Sequence, residues 1–374
     1  MDSELRSRDW AGLPDLVLNL IFQNLSSISD YFCFGAVCKP WFSFLSNNYD
    51  ALQQRVNSSS IEELPLLMFC TDREQYTINT SLYSAAKSKI ICDIKLPLSH
   101  TWRCFGSSHG WLAFQQSDFL IQLFNPFSRE TIYLPRLNFF LRKIIITKNP
   151  STNPYNFDVA TIIVTSNGYH PKLAFLKPGG YTWVFTSRYI EGSVCDMIYY
   201  NEKYYVVNDK GKILSIDKTS LELKRIIEQP SIVKSSPRIK FYLVKTRTNE
   251  LLRVQIFFRR DDQTSSVKIF KLVAIPETQK SRFVNLDNLG DEALFLSNYS
   301  SMSVLASNVL GCEANFVYYL DNNARLELPG NQYMMDIIHL QYGGRRTQFP
   351  LKASIDGNAL ALWIIPTPKF TSIS

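Results

Sequence analysis

The stretch CDMIYYNEKYYVVNDKGKILSID, residues 195–217, carries the clearest signal of the chain's architecture. Three runs rich in Tyr, Val and Ile, CDMIYY, KYYVVN and GKILSID, follow one another at close spacing, with the turn signal NDKGK between the last two. Runs this short, made of β-branched and aromatic residues, suit strands rather than helices. The pattern extends outward in both directions. LLMFC (66–70), GWLAFQ (110–115), FDVATIIV (157–164), LLRVQIFF (251–258), NFVYYLD (315–321) and LALWII (360–365) are of the same kind. The connectors NPFS (125–128), KPGG (177–180) and LPGN (328–331) carry turn residues. Only LYSAAKSKI (82–90) reads as a short helix within this region. About 300 residues of short strands imply a propeller or a large sandwich. At roughly 40–50 residues per blade the length gives six or seven blades. The repeat is weak, with neither the Gly-Gly doublet of kelch repeats nor the Trp-Asp of WD repeats. Trp102, Trp111 and Trp183 are expected inside blades, and Trp363 is expected to help close the ring.

Residues 13–46 follow a different period. In LVLNLIFQNL (16–25) the apolar positions nearly encircle a helix, and Asp15, Asn19 and Gln23 form one narrow polar stripe. Ser29 and Asp30 suit the cap of a second short helix, Tyr31–Val37. Pro40 opens a third, with Trp41, Phe44 and Leu45 at helical spacing. Three short helices in about 35 residues rarely close a core alone. The surplus apolar surface must pack against another chain or against the rest of this one. The sequence therefore divides into a helical unit at 10–50, a linker at 51–65 and a β-rich domain at 66–368.

Composition narrows the functional classes. The net charge of +7 is uneven, −3 over residues 1–50 and +10 over the remainder, and no run of like charges forms a nucleic-acid arm. A mildly basic body favours an acidic partner, although a mixed solvated surface explains the same balance. Seven cysteines at scattered spacing show no CxxC and no zinc-ligand pairing with the four histidines. They read as reduced thiols of the cytosol or nucleus. The N-terminus MDSELRSRDW lacks an apolar signal core, and no run approaches the ~18 residues of a membrane span. No cofactor, membrane or nucleic-acid partner is expected.

No catalytic constellation stands out. The glycine pairs in KPGGY and YGGRR read as turns rather than phosphate loops. RRDD (259–262) reads as a charged hairpin tip, and GGRRT (343–347) as a solvated loop that could hold an anion through Arg345 and Arg346. The 19 Tyr and 25 Phe fall mainly at alternating strand positions, which makes core packing their default role. Acidic pairs around a propeller axis can be catalytic, and residues distant in sequence can meet there.

The helical unit resembles an F-box, whose usual form is L-P-x-x-L-L-x-x-I-x-x-x-L followed by V-C-K-x-W. Leu13, Pro14, Val17, Leu18, Ile21 and Leu25 fill the first half, and Val37, Cys38, Lys39 and Trp41 the second. Val17 departs conservatively at a Leu position, the acid sits early at Asp15, and Cys33 and Phe42 stand where Arg is common. The remainder resembles plant F-box proteins carrying a KIB-type β-propeller. SSHGWLAF (107–114), LFNPFSRETIYLP (123–135), residues 196–217, LGDEALFLSNYSSMSVLAS (289–307) and ALWIIPTP (361–368) carry that likeness. The stretch 323–350 departs from the family's usual ending and leaves the last blade's geometry open.

The resemblance implies an α+β multidomain protein, a three-helix F-box followed by an all-β, kelch-like propeller. It implies a non-catalytic substrate receptor. A Skp-type adaptor would bind the helices and connect them to a cullin–RING ubiquitin ligase, while the propeller recruits a target protein. The adaptor-facing residues would be Leu13, Pro14, Val17, Leu18, Ile21, Leu25, Val37, Cys38, Trp41 and Leu45. The competing reading is a propeller enzyme or small-ligand binder whose helices are structural.

Overall fold

A computed structural model describes residues 10–366 apart from 26–27, 49–50, 53–64, 86, 166–170, 226–238, 259–264, 276–279, 310, 322–331 and 353–359. Three helices come first: α1 (Asp15–Asn24), α2 (Ile28–Ala36) and α3 (Lys39–Asn47). Pro14 precedes α1, and its carbonyl accepts the Val17 and Leu18 N–H groups at 2.9 and 3.1 Å. Pro40 lies in the first turn of α3, where a missing N–H costs nothing. One expectation shifts here. α2 starts at Ile28, so Ser29 and Asp30 lie inside its first turn rather than capping it. Asp30 still complements the positive end of the helix dipole.

The rest of the described chain forms six antiparallel or mixed sheets. Blade 1 joins both ends of the domain: β1 (Leu66–Arg73), β2 (Ile78–Ser84) and β3 (Lys89–Leu96) are completed by β25 (Ala361–Ile364) in the order β25-β1-β2-β3. Blade 2 contains β4 (Arg103–Ser108), β5 (Trp111–Gln115), β6 (Ile121–Phe124) and β7 (Thr131–Leu134). Blade 3 contains β8 (Phe140–Ile146), β9 (Val159–Val164), β10 (Lys172–Leu176) and β11 (Val184–Phe185). Blade 4 is β12 (Val194–Tyr200), β13 (Lys203–Asn208), β14 (Ile213–Asp217) and β15 (Leu223–Arg225), the stretch quoted at the outset and its continuation. Blade 5 is β16 (Ile239–Lys245), β17 (Leu251–Phe258), β18 (Ser265–Ile275) and β19 (Lys280–Leu286). Blade 6 contains β20 (Glu292–Leu296), β21 (Ser301–Leu305), β22 (Phe316–Asp321), β23 (Gln332–His339) and β24 (Gly343–Lys352). The inner edge strands touch in succession, β25 to β4, β8, β12, β16 and β21, and blades 5 and 6 also meet through β18 against β23 and β24, which defines a six-bladed ring about a central axis.

Blade 6 is irregular. Its order is β21-β20-β22-β23-β24, and β22 runs parallel to β20 while every other strand pairing among the described residues is antiparallel. The chain therefore enters at the second position, moves to the axis and returns to the third. Two further expectations are corrected in the propeller. LYSAAKSKI is not helical, because Leu82–Ser84 end β2 and Lys89 and Ile90 begin β3. Gly343 and Gly344 open β24 rather than forming a turn, and Arg345 and Arg346 pair in that strand with Ile337 and Asp336. The RRDD segment lies outside the described residues.

Ring closure rests on Trp363, which is fully buried in β25. Its Nε1–H donates to the Leu296 carbonyl at 3.1 Å, its backbone N–H to Ser300 Oγ at 2.9 Å, and its ring meets Phe295 edge-on at 4.9 Å. Blades 1 and 6 are thereby clamped. Trp363→Ala leaves a cavity and removes a donor at this joint, and about 3–5 kcal/mol of stability should be lost. Denaturant unfolding followed by tryptophan-independent circular dichroism checks this; a change below about 1 kcal/mol would place the closure elsewhere.

The helices are not a separate core. Leu18, Phe22, Tyr31, Phe34, Trp41, Phe44, Leu45 and Leu52 belong to one buried apolar cluster with residues of blades 1, 2 and 6. Leu52, within the segment read as a linker, is fully buried in it. Part of the apolar surplus is thus absorbed by the chain's own propeller, and Phe42 packs against the same cluster.

Candidate functional site

The helical unit is built around Phe22. Its ring meets Tyr31, Phe34 and Phe44 edge-on at 4.9, 6.5 and 6.0 Å. Tyr31 Oη donates to the Phe22 carbonyl at 3.2 Å, which ties α2 to the end of α1. Trp41 lies 4.6 Å from Phe34, and its Nε1–H donates to the Trp10 carbonyl at 2.7 Å. These contacts align three short helices that could not hold their angles on propensity alone.

Burial sorts the ten residues expected to face a partner. Leu18, Trp41 and Leu45 lie inside the chain, with Leu45 fully buried. They support the surface from beneath. Leu13, Ile21, Leu25 and Cys38 are half-buried, and Pro14, Val17 and Val37 are exposed. The residues that the motif did not point to are Leu16 and Leu20, 73% and 58% exposed, with Trp10 at 53%. Leu16 and Leu20, four residues apart, lie on the side of α1 opposite Leu18 and Phe22. With Val17 they form an open apolar strip. Helical periodicity could have found them, because a helix apolar all round has one face left over once the other is buried. Trp41→Ala should cost about 3–5 kcal/mol through lost packing. Helical ellipticity should fall first, so any loss of binding by that variant reports a loosened scaffold; unchanged thermal unfolding would contradict this.

The second candidate region lies on the propeller axis. A cavity of about 580 Å³ opens between the ends of the inner strands, lined by Ser107, Ser108, His109, Lys143, Tyr199, Tyr200, Glu202, Lys245, Arg247 and Ser301. A smaller one of about 280 Å³ is lined by Arg142, Cys195, Lys240, Tyr242 and Asn298, and Lys143 and Tyr299 line both. Lys143 from β8 forms a buried ion pair with Asp196 from β12. Asp196 sits at a bulge between Val194 and its neighbours, which turns its carboxylate inward. Its second oxygen accepts the Leu243 N–H of β16 at 2.8 Å, and its first accepts the Met197 N–H at 2.7 Å. One carboxylate thus bridges the inner strands of three blades.

Five cations, Arg142, Lys143, Lys240, Lys245 and Arg247, and one carboxylate, Glu202, line the two cavities among the described residues. Lys240 donates to Tyr319 Oη at 2.9 Å. Burial pushes the Cys195 thiol up to about 12, which keeps it protonated and unreactive. Among the described residues no group of three or more His, Cys, Asp or Glu is placed to hold a metal ion, and no helix is long and apolar enough to cross a membrane. The arrangement is suited to binding: an apolar strip at one place, a cation-lined cavity at another.

Residues 82–340 match the family model described as the KIB1-4 beta-propeller. A probable F-box protein of Arabidopsis thaliana is 24% identical over 343 residues, covering 85% of this chain and 86% of that protein. A putative F-box protein of the same plant is 23% identical over 418 residues, covering 99% of this chain and all of its own length, 100%. Among solved structures, the β-propeller domain of Cps50 (Swd1) from Myceliophteria thermophila aligns at a TM-score of 0.40 and 8% identity, over 81% of this chain and 97% of that one.

Proposed function

The chain belongs to the KIB1-4 beta-propeller family, and from that premise we propose that it is the substrate-recognition subunit of a Skp–cullin–F-box ubiquitin ligase. In this reading the helices engage a Skp-type adaptor, which connects them to a cullin–RING ligase, and the propeller holds a target protein. The relatives' names as F-box proteins support the assignment. The observation that carries it is the open strip of Leu16, Val17 and Leu20 on a helix whose other face is already buried. An unpartnered apolar helix face suits insertion into a groove between a partner's helices. Covering these apolar side chains with a partner would contribute roughly 25 cal/mol per Å² of surface removed from water. The role is that of a receptor rather than a catalyst, exercised in the cytoplasm, the nucleus or both, without a nucleic-acid or membrane partner.

The decisive experiment uses the full chain. It should be captured by a purified Skp-type adaptor, and the assembled complex with a cullin–RING module should transfer ubiquitin. Soluble, folded protein that shows no capture would overturn the reading. A second reading, the propeller as a small-ligand binder, has one observation of its own: the larger axial cavity falls within the size range of ligand pockets. A thermal shift with a small metabolite, unaffected by the adaptor, would favour it.

A further inference from the structure

The seam between the helices and the propeller contains two facing thiols. Cys33 lies on α2 and Cys92 on β3, the outer strand of blade 1. The Cys33 S–H donates to the carbonyl oxygen of Ile91, the residue before Cys92, at 3.6 Å, which sets the Cys33 sulfur beside the Cys92 backbone. α2 and β3 are in direct backbone proximity along this seam. Both cysteines are half-buried, which leaves room for a small oxidant. The pair is asymmetric. The Cys92 thiol holds Cys33 below the ordinary thiol range, and Lys87 works in the same direction, against burial and the Asp30 carboxylate. Cys92 is correspondingly raised, first by the neighbouring Cys33 thiol and then by burial and the nearby charge of Asp93. Elsewhere burial raises Cys195 to about 12 and Cys312 to about 11. A more acidic, accessible thiol beside a protonated second thiol is the arrangement of a peroxide-responsive dithiol.

We propose that Cys33 and Cys92 are an oxidative modification site, which a peroxide converts into a disulfide joining α2 to the outer edge of blade 1. The Cys33 thiolate attacks one peroxide oxygen, the O–O bond breaks and hydroxide leaves, giving a sulfenic acid. The Cys92 sulfur then attacks the Cys33 sulfur, the S–O bond breaks, and the departing oxygen leaves as water with the Cys92 proton. Two thiols lose two electrons and two protons in total, and one peroxide becomes two waters. The bond would fix the helical strip at one angle to the propeller axis.

The test treats the full chain with hydrogen peroxide under native conditions. The mass should fall by about 2 Da, a non-reducing peptide map should join residues 33 and 92, and a thiol reductant should reverse both. Cys33 should react at least about tenfold faster than the buried Cys70 and Cys104. Cys33→Ser should show no cross-link, and Cys92→Ser should stop at a sulfenic acid on Cys33 that a dimedone probe traps. Circular dichroism confirms that both variants retain the fold, and the wild-type map stands alone if either does not. Linkage between another pair, or oxidation of Cys33 with no bond to Cys92, would overturn the proposal.

Discussion

Asp196→Ala is expected to destabilise the propeller by about 3–5 kcal/mol, because it leaves the Lys143 ammonium buried without its counter-ion. Both side chains are nearly inaccessible, 6% exposed for Lys143 and 1% for Asp196, so added salt should not screen the loss. The carboxylate also satisfies the Leu243 N–H, and an orphaned buried N–H costs about 1–3 kcal/mol. That second duty makes a further outcome specific. Replacing both partners by apolar residues, Lys143→Met with Asp196→Leu, removes the unpaired charge and should recover part of the loss. It should not recover all of it, because no apolar side chain accepts the Leu243 N–H. Urea unfolding of the three proteins decides the matter. Full recovery in the double variant would show that the bridge to β16 contributes nothing, and a single-variant loss below about 1 kcal/mol would show that the ion pair is not what joins blades 3 and 4.

The second large effect concerns binding. Leu16→Asp combined with Leu20→Asp should weaken capture by a Skp-type adaptor at least about 100-fold, since two interface anchors at about 2 kcal/mol each exceed two decades in affinity. The substitutions lie on exposed positions, where changes in fold stability stay near 0.5 kcal/mol. Unfolding midpoints should therefore match the wild type. This separates the pair from Trp41→Ala, whose effect passes through the scaffold. A surface titration showing less than about threefold weakening would remove the α1 strip from the interface and leave Val37 and Trp10 as the next surfaces to test.

Much of the architecture is legible from the chain because strand signals are local. Alternation and turn residues mark KYYVVN and GKILSID without help from tertiary contacts, and they pair as β13 and β14. Six blades fall within the range that length allows. The order within blade 6 is not local information. ALFLSNYSSMSVL reads as an ordinary hairpin, and nothing in it reveals that β21 takes the axis or that β22 will lie parallel to β20. The helical site shows the same division. The motif locates the three helices, but Leu16 and Leu18 are the same residue type two positions apart, and only packing against Phe22, Phe34 and the propeller decides which of them is left open. Asp196 is not legible for a related reason: it acquires its role from Lys143 and Leu243 on distant strands.

The shared blade has a consequence for biosynthesis. β1 to β3 emerge from the ribosome early, and their inner neighbour β25 is among the last described residues to follow. Until it arrives, β1 presents an unpaired edge of the kind that recruits other chains. The helices share their apolar cluster with this same blade. A translation product that stops short of Ala361 should thus be defective at both ends at once, with an open ring and a loosened helical face.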